Sequence, residues 1–207
     1  MSIGLTYNEF VALNPICDAK TRVPKLFGGP EKWGSRAITP KEARDAGCTF
    51  VDLVWATAAV ARTNPDVERR LLLWRADCSA RVLALYEGER HSDAPRNAII
   101  ATRQFSRGQI DAAAVAAAKA TASASTMEAG GAAAGPTRAA WAAAEETWAA
   151  YWAAGAASVA AARVAYWAAT AAAGEAAGAA EESWQFDRLI DRLSDQEPED
   201  WPLPARG

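Results

Sequence analysis

The chain has 207 residues, enough for one domain of ordinary size or two small ones. Its formal net charge of −3 argues against a general binder of nucleic-acid polymers, which would carry a basic face to meet phosphates. Apolar residues make up 51%, but alanine, the strongest helix former, dominates that share and buries little area per residue. The nine Trp must therefore supply much of the burial, and the expectation is an all-α, alanine-rich multi-helix bundle with indoles filling the gaps.

Residues 1–48 read as an irregular segment with short helices. Thr6 can cap a helix through Leu13, and Pro15, Pro24, Gly28, Gly29, Pro30 and Gly34 interrupt anything long. Thr39-Pro40-Lys41-Glu42 is a capping box with Pro at the first helical position, and Gly47 stops that helix. A helical region is expected over 49–195. Thr49 starts a helix whose Phe50, Leu53, Val54, Ala58 and Ala61 share a face. Thr63-Asn64-Pro65-Asp66 ends it and caps a long helix from Pro65 to about Glu87. Val67, Leu71, Trp74, Cys78, Val82 and Leu85 form the stripe of that helix, and Leu72, Leu83 and Tyr86 widen it. A helix apolar over so much of its circumference is expected to have neighbours on several sides.

A polar turn, Gly88 to Asp93, leads to a helix over Pro95–Arg107 that ends at Gly108, with Asp93 or Ser92 as its cap. An alanine helix follows over 110–128. Gly130, Gly131, Gly135 and Pro136 break it, and three further helical segments are expected over about 137–154, 156–173 and 175–194. Trp141, Trp148 and Trp152 share a face of the first, Val159, Arg163, Tyr166 and Trp167 of the second, and Phe186, Leu189, Ile190 and Leu193 of the third. This recurrence of aromatic residues at helical spacing disfavours a low-complexity disordered reading. Residues 196–207, with Pro198, Pro202 and Pro204, read as a flexible acidic, Pro-rich tail.

Charge is unevenly spread. Residues 1–48 hold seven Lys/Arg and five Asp/Glu, whereas residues 175–200 hold nine Asp/Glu beside Arg188 and Arg192. That acidic run is either a surface for a basic partner or a solvated face. Cys17, Cys48 and Cys78 are scattered and His91 is the sole histidine, a pattern that suits a reducing cytoplasm and argues against a disulfide framework or a Cys/His zinc site. No signal peptide is expected from the opening residues. The uncharged stretch Thr147–Ala162 is too short and too alanine-rich for a membrane span.

The segment from Trp74 to Gly108 carries a family resemblance. It reads W-R-A-D-C-S-A-R-V-L-A-L-Y-E, then a polar turn, then D-A-P-R-N-A-I-I-A-T-R-Q-F-S-R-G. This resembles the immunity-protein-five-like family of bacterial and phage-borne proteins, whose members carry a D-C-x-x-R-V-L-x-x-F/Y-E helix, an acidic turn, an R-P-R-x-A-I helix ending in R-G, and long alanine-rich helices. Asp77, Cys78, Arg81, Val82, Leu83, Glu87, Pro95, Arg96, Ala98, Ile99, Arg103, Arg107 and Gly108 match, and the similarity continues loosely to about residue 180. Ala94 stands where relatives have Arg, and the histidines that relatives often carry in the alanine helices are missing here. The resemblance implies a protein that neutralises a toxin by binding it.

Two constellations could carry binding. Arg96, Arg103 and Arg107 project within about 40° of one another on a helix flanked by Ile99 and Ile100. Arg81 lies on the preceding helix, with Asp77 and Glu87 as counter-charges. Such guanidinium groups either clamp an anion or fix two helices through salt bridges. Trp152, Arg163 and Trp167, with Trp141, Trp148, Tyr151 and Tyr166, either line a slot for a planar ligand or fill the core among alanines. No catalytic set can be assembled around His91, and the adjacent pairs Glu145-Glu146 and Glu181-Glu182 point apart on a helix. Cys78 reads as a buried small residue.

The expectation is thus a cytoplasmic, non-enzymatic immunity-type protein without a cofactor, whose partner is a protein toxin or effector. The alternative is a binder of a small anion such as a nucleotide, in a phage setting a sequestering inhibitor of host defence signalling. A structural helical protein that forms homo-oligomers is a third option. Neither a membrane nor a nucleic-acid polymer is expected as a partner.

Overall fold

A computed structural model describes residues 3–15, 18–87, 93–129, 175–194, 196 and 198–205. Among these the chain is all-α, with helices α1 (Tyr7–Ala12), α2 (Ala19–Leu26), α3 (Pro30–Trp33), α4 (Pro40–Asp45), α5 (Phe50–Ala61), α6 (Pro65–Glu87), α7 (Ala94–Ser106), α8 (Ala112–Ala129) and α9 (Glu175–Leu193). Extended pairing among the described residues is confined to one antiparallel bridge between Leu5 and Ile38. The segments expected over 137–154 and 156–173, with their tryptophans, lie outside the described residues. None of the described helices is long and apolar enough to cross a membrane. The chain divides into two compact units, one of Met1–Leu71 with Phe186–Pro198, the other of Leu72–Gln185 with Glu199–Gly207.

In the first unit, short helices are started by their own side chains. Thr6, Thr39 and Thr49 each accept a hydrogen bond from the backbone N–H three residues on, and Glu9, Glu42 and Asp52 reach back to the threonine N–H groups. Each box satisfies donors that a helix end would otherwise leave open. Gly47 follows α4 with φ 98°, a left-handed conformation in which a side chain would be strained. What the helices enclose is aromatic. Trp33 is buried, its ring centroid 4.9 Å from Phe27, 5.2 Å from Phe10 and 5.8 Å from Tyr7. Its indole N–H donates to the Leu5 carbonyl at 3.0 Å, so the polar end of the ring is satisfied inside the core. Val23, Ile38 and Cys48 complete this cluster, and a cavity of about 70 Å³ lies against it.

Helices α6 and α9 each have residues in both units, and α7 and α8 belong to the second. Asn64 caps α6 by accepting from the N–H groups of Asp66 (3.1 Å) and Val67 (3.3 Å). Val67, Leu71, Trp74 and Cys78 of the expected stripe are all buried, as are Leu73, Ala76, Ala80 and Leu83 on flanking faces. The Trp74 indole donates to the Gln185 carbonyl of α9 at 3.0 Å. Asp93 takes the position before α7 but caps it with no side-chain hydrogen bond, and Gly108 (φ 69°) closes that helix. On α7, Ile99 is buried and Ile100 is exposed. Asp111 caps α8 by accepting from the Ala114 N–H at 2.8 Å, and α8 packs on α7 with Val115 buried. The stripe on α9 is more polar than its apolar spacing suggests, because Glu181, Gln185 and Arg192 are buried along with Leu189 and Leu193.

Two outcomes follow. The Thr6 and Thr39 donors hold the Glu9 and Glu42 carboxyls below the usual range. Their contribution is complete above about pH 4.5, the value in the unfolded chain, and is lost as pH falls through the lower folded-state values. Urea midpoints measured from pH 6 to pH 3 will drop through that window, and Thr39→Ala will cost about 1 kcal/mol at neutral pH. Burial, with the nearby Asp52 charge, pushes the Cys48 thiol up to about 11. At pH 8 it will resist iodoacetamide in the native protein and react once the chain is unfolded, as mass spectrometry of the alkylated protein will report.

Candidate functional site

The arginines of α7 converge on charged and main-chain groups of the second unit. Arg96 and Arg103 are 6% and 7% exposed, and Asp77, on α6, is 0% exposed. A carboxylate buried to that degree needs donors on its oxygens. Asp77 Oδ1 accepts from Arg103 Nη2 at 3.1 Å and from the Trp201 N–H at 2.8 Å. The same Arg103 nitrogen donates to the Trp201 carbonyl, and its Nε lies 3.5 Å from Asp200 Oδ2. Asp77 and Arg103 thus hold both backbone groups of Trp201. Arg107, nearer the surface, pairs with Asp200, and Arg96 Nη2 donates to the Pro204 carbonyl at 2.8 Å.

Arg81 forms the other wall. Its Nε donates to Glu181 Oε2 at 2.6 Å, and the remaining oxygen of Glu181 accepts from Gln185 Nε2 at 3.1 Å. Its guanidinium lies 4.4 Å from the Trp184 ring centroid and 5.4 Å from that of Trp201. The two indoles meet edge to face at 4.9 Å. Below them Ala76, Ala80, Leu83 and Ile99 make an apolar floor against which Trp201 and Leu203 pack. Planar guanidinium groups suit this arrangement because they can stack on an indole while their edges remain free to donate.

Of the residues singled out in the sequence, Arg81, Arg96, Arg103 and Arg107 come together around residues 200–204, with Asp77 as a counter-charge. Trp152, Arg163 and Trp167 lie outside the described residues, as do His91 and Cys17; the side chain of Glu87 does too. Periodicity and motif spacing do not single out Trp184, Asp200 or Trp201 as partners of these arginines. Glu181 and Glu182 point apart, as adjacent residues on a helix do: Glu181 is buried against Arg81 while Glu182 faces solvent. A signal was present at Trp201, since a large indole inside an acidic, Pro-rich stretch is costly to leave in water. Several carboxylates of the 175–200 run are likewise engaged: Glu181 with Arg81, Asp187 with Arg44, and Asp200 with Arg103 and Arg107.

Residues 61–146 match a family model, described as Imm-5 like putative immunity protein. Over that segment the chain is similar to the family seen in Trp74–Gly108. The match covers α6, α7 and α8, with Asp77, Arg81, Arg96, Arg103 and Arg107 inside it. It ends at 146, short of the looser similarity read to about residue 180, and leaves out Glu181, Trp184 and residues 199–204. No curated protein and no solved structure matches the chain.

Removing one member of a buried ion pair leaves the other charge uncompensated. Asp77→Ala will therefore destabilise the protein by about 3–5 kcal/mol in urea unfolding. Asp200→Asn, which loses a partly solvated carboxylate while Arg103 keeps Asp77, will cost about 1 kcal/mol or less.

Proposed function

We propose that the protein is a non-enzymatic, immunity-type protein that neutralises a toxin or other effector protein by binding it. The observation that carries this reading is the family match over residues 61–146, which takes in the helices bearing the arginine constellation. Two features support a surface-binding role. Arg107, at one end of the constellation, keeps its side chain 44% exposed. Glu182 and Asp191 present carboxylates on exposed positions of α9, where charge complementarity would speed capture of a basic target such as a nuclease. Arg81, Arg96, Arg103, Arg107, Trp152, Arg163 and Trp167 remain the residues proposed for partner contact.

The alternative, a small-anion or nucleotide binder, draws less support. The donors of Arg96, Arg103 and Arg107 are directed at carbonyls and a carboxylate of the chain itself, and an incoming phosphate would have to displace them.

The two readings separate in one experiment. The intact protein is immobilised, exposed to lysates of competing bacteria, and analysed by native mass spectrometry in parallel. Recovery of a protein whose toxicity disappears when it is co-expressed with this chain is the expected result. A retained nucleotide, with no protein captured, would overturn the toxin reading in favour of the alternative.

A further inference from the structure

Residues 199–204 interact with the second unit in the way a docked peptide interacts with a receptor. The contacts run from side chains of helices to the main chain of a segment that is neither helix nor strand: Asp77 to the Trp201 N–H, Arg103 to the Trp201 carbonyl, Arg96 to the Pro204 carbonyl. Main-chain recognition of this kind depends on the path of the segment more than on its covalent attachment. Specificity comes from two side chains. The Trp201 indole sits against Trp184 and Arg81 over the apolar floor, as an aromatic anchor does at the centre of an interface. The Asp200 carboxylate meets Arg103 and Arg107.

The occupant is also built for docking. Pro202 and Pro204 fix their own φ and have no N–H to satisfy, so the extended form is largely prepaid in conformational entropy. Only five residues separate the end of α9 from Glu199 in sequence, so covalent attachment gives the segment an advantage over the same peptide free in solution.

We infer that the surface of α6, α7 and the Trp184 end of α9 is a peptide-binding groove. Its ligand class is an extended acidic segment of the form Asp-Trp-Pro-x-Pro, and residues 199–204 are its exchangeable occupant in cis. The inference holds whether or not the protein neutralises a toxin, because it concerns what the groove recognises.

The test uses the full chain and a fluorescent peptide spanning residues 198–205. Trp201→Ala weakens the occupant and leaves every groove residue in place. Fluorescence anisotropy should show the peptide binding this variant about ten-fold or more tighter than the wild type, where the tethered segment competes. A peptide carrying Trp201→Ala should not bind. A folded Trp201→Ala chain, by circular dichroism, that takes up the peptide no better than wild type overturns the proposal. Should that variant fail to fold, hydrogen exchange on the wild type decides. An exchangeable strap requires the Trp201 and Leu203 amides to exchange about ten-fold or more faster than those of Ala76 and Ala80, through an opening smaller than global unfolding. Exchange of all four at one common rate makes the segment an ordinary part of the core and overturns the groove.

Discussion

Asp77 is a carboxylate with no exposed surface in the middle of a long helix, and most of the second unit follows from the need to satisfy it. Left alone in an apolar interior, such a group would be among the most costly in the molecule. Its oxygen Oδ1 takes a guanidinium N–H from α7 and a main-chain N–H from a segment more than a hundred residues away in sequence. Satisfying it therefore orients α7 against α6 and brings in residues 199–204 together. Arg103, committed to Asp77 and to the Trp201 carbonyl, then needs Asp200 nearby, and Arg107 shares that carboxylate. The arginine stripe is accordingly an internal network along much of its length.

Alanine explains why polar groups carry so much of this burden. Where the contact face of a helix is alanine, as at Ala76 and Ala80, a neighbour can come close but little surface is removed from water. Large side chains and directional bonds have to supply the rest, and they come from outside the alanine face: Trp201, Leu203, and the stacked pair of Arg81 and Trp184. The first unit meets the same shortage differently. Its helices are too short to be stable alone, so capping boxes start them and a buried Trp33, ringed by Tyr7, Phe10 and Phe27, gives them a common surface to pack on.

The family match and the network overlap without coinciding. The match contains Asp77 and all four arginines, whereas the groups that complete their coordination, from Glu181 onward, lie beyond it. The helix pair α6–α7 supplies the charged half of the constellation, and the segment that closes over it comes from elsewhere in the chain.

Local features were legible because they depend on neighbours a few residues away. The Thr39 capping box, the Asn64-Pro65 start of α6, the glycine stops at 47 and 108, and the bounds of α7 and α9 to within a residue or so all follow from spacing and backbone chemistry. The grouping of Arg96, Arg103 and Arg107 on one face was equally readable, since helical periodicity alone sets it. What periodicity could not indicate was which face would be buried against what. Ile100 looked equivalent to Ile99 and is exposed, and Glu181 looked like a solvated acid and is interior. Those choices, with the seating of Trp201 between Arg81 and Trp184, belong to tertiary structure. They hinge on contacts across about a hundred residues, where the pairing of a buried charge, and not local propensity, decides which segments meet.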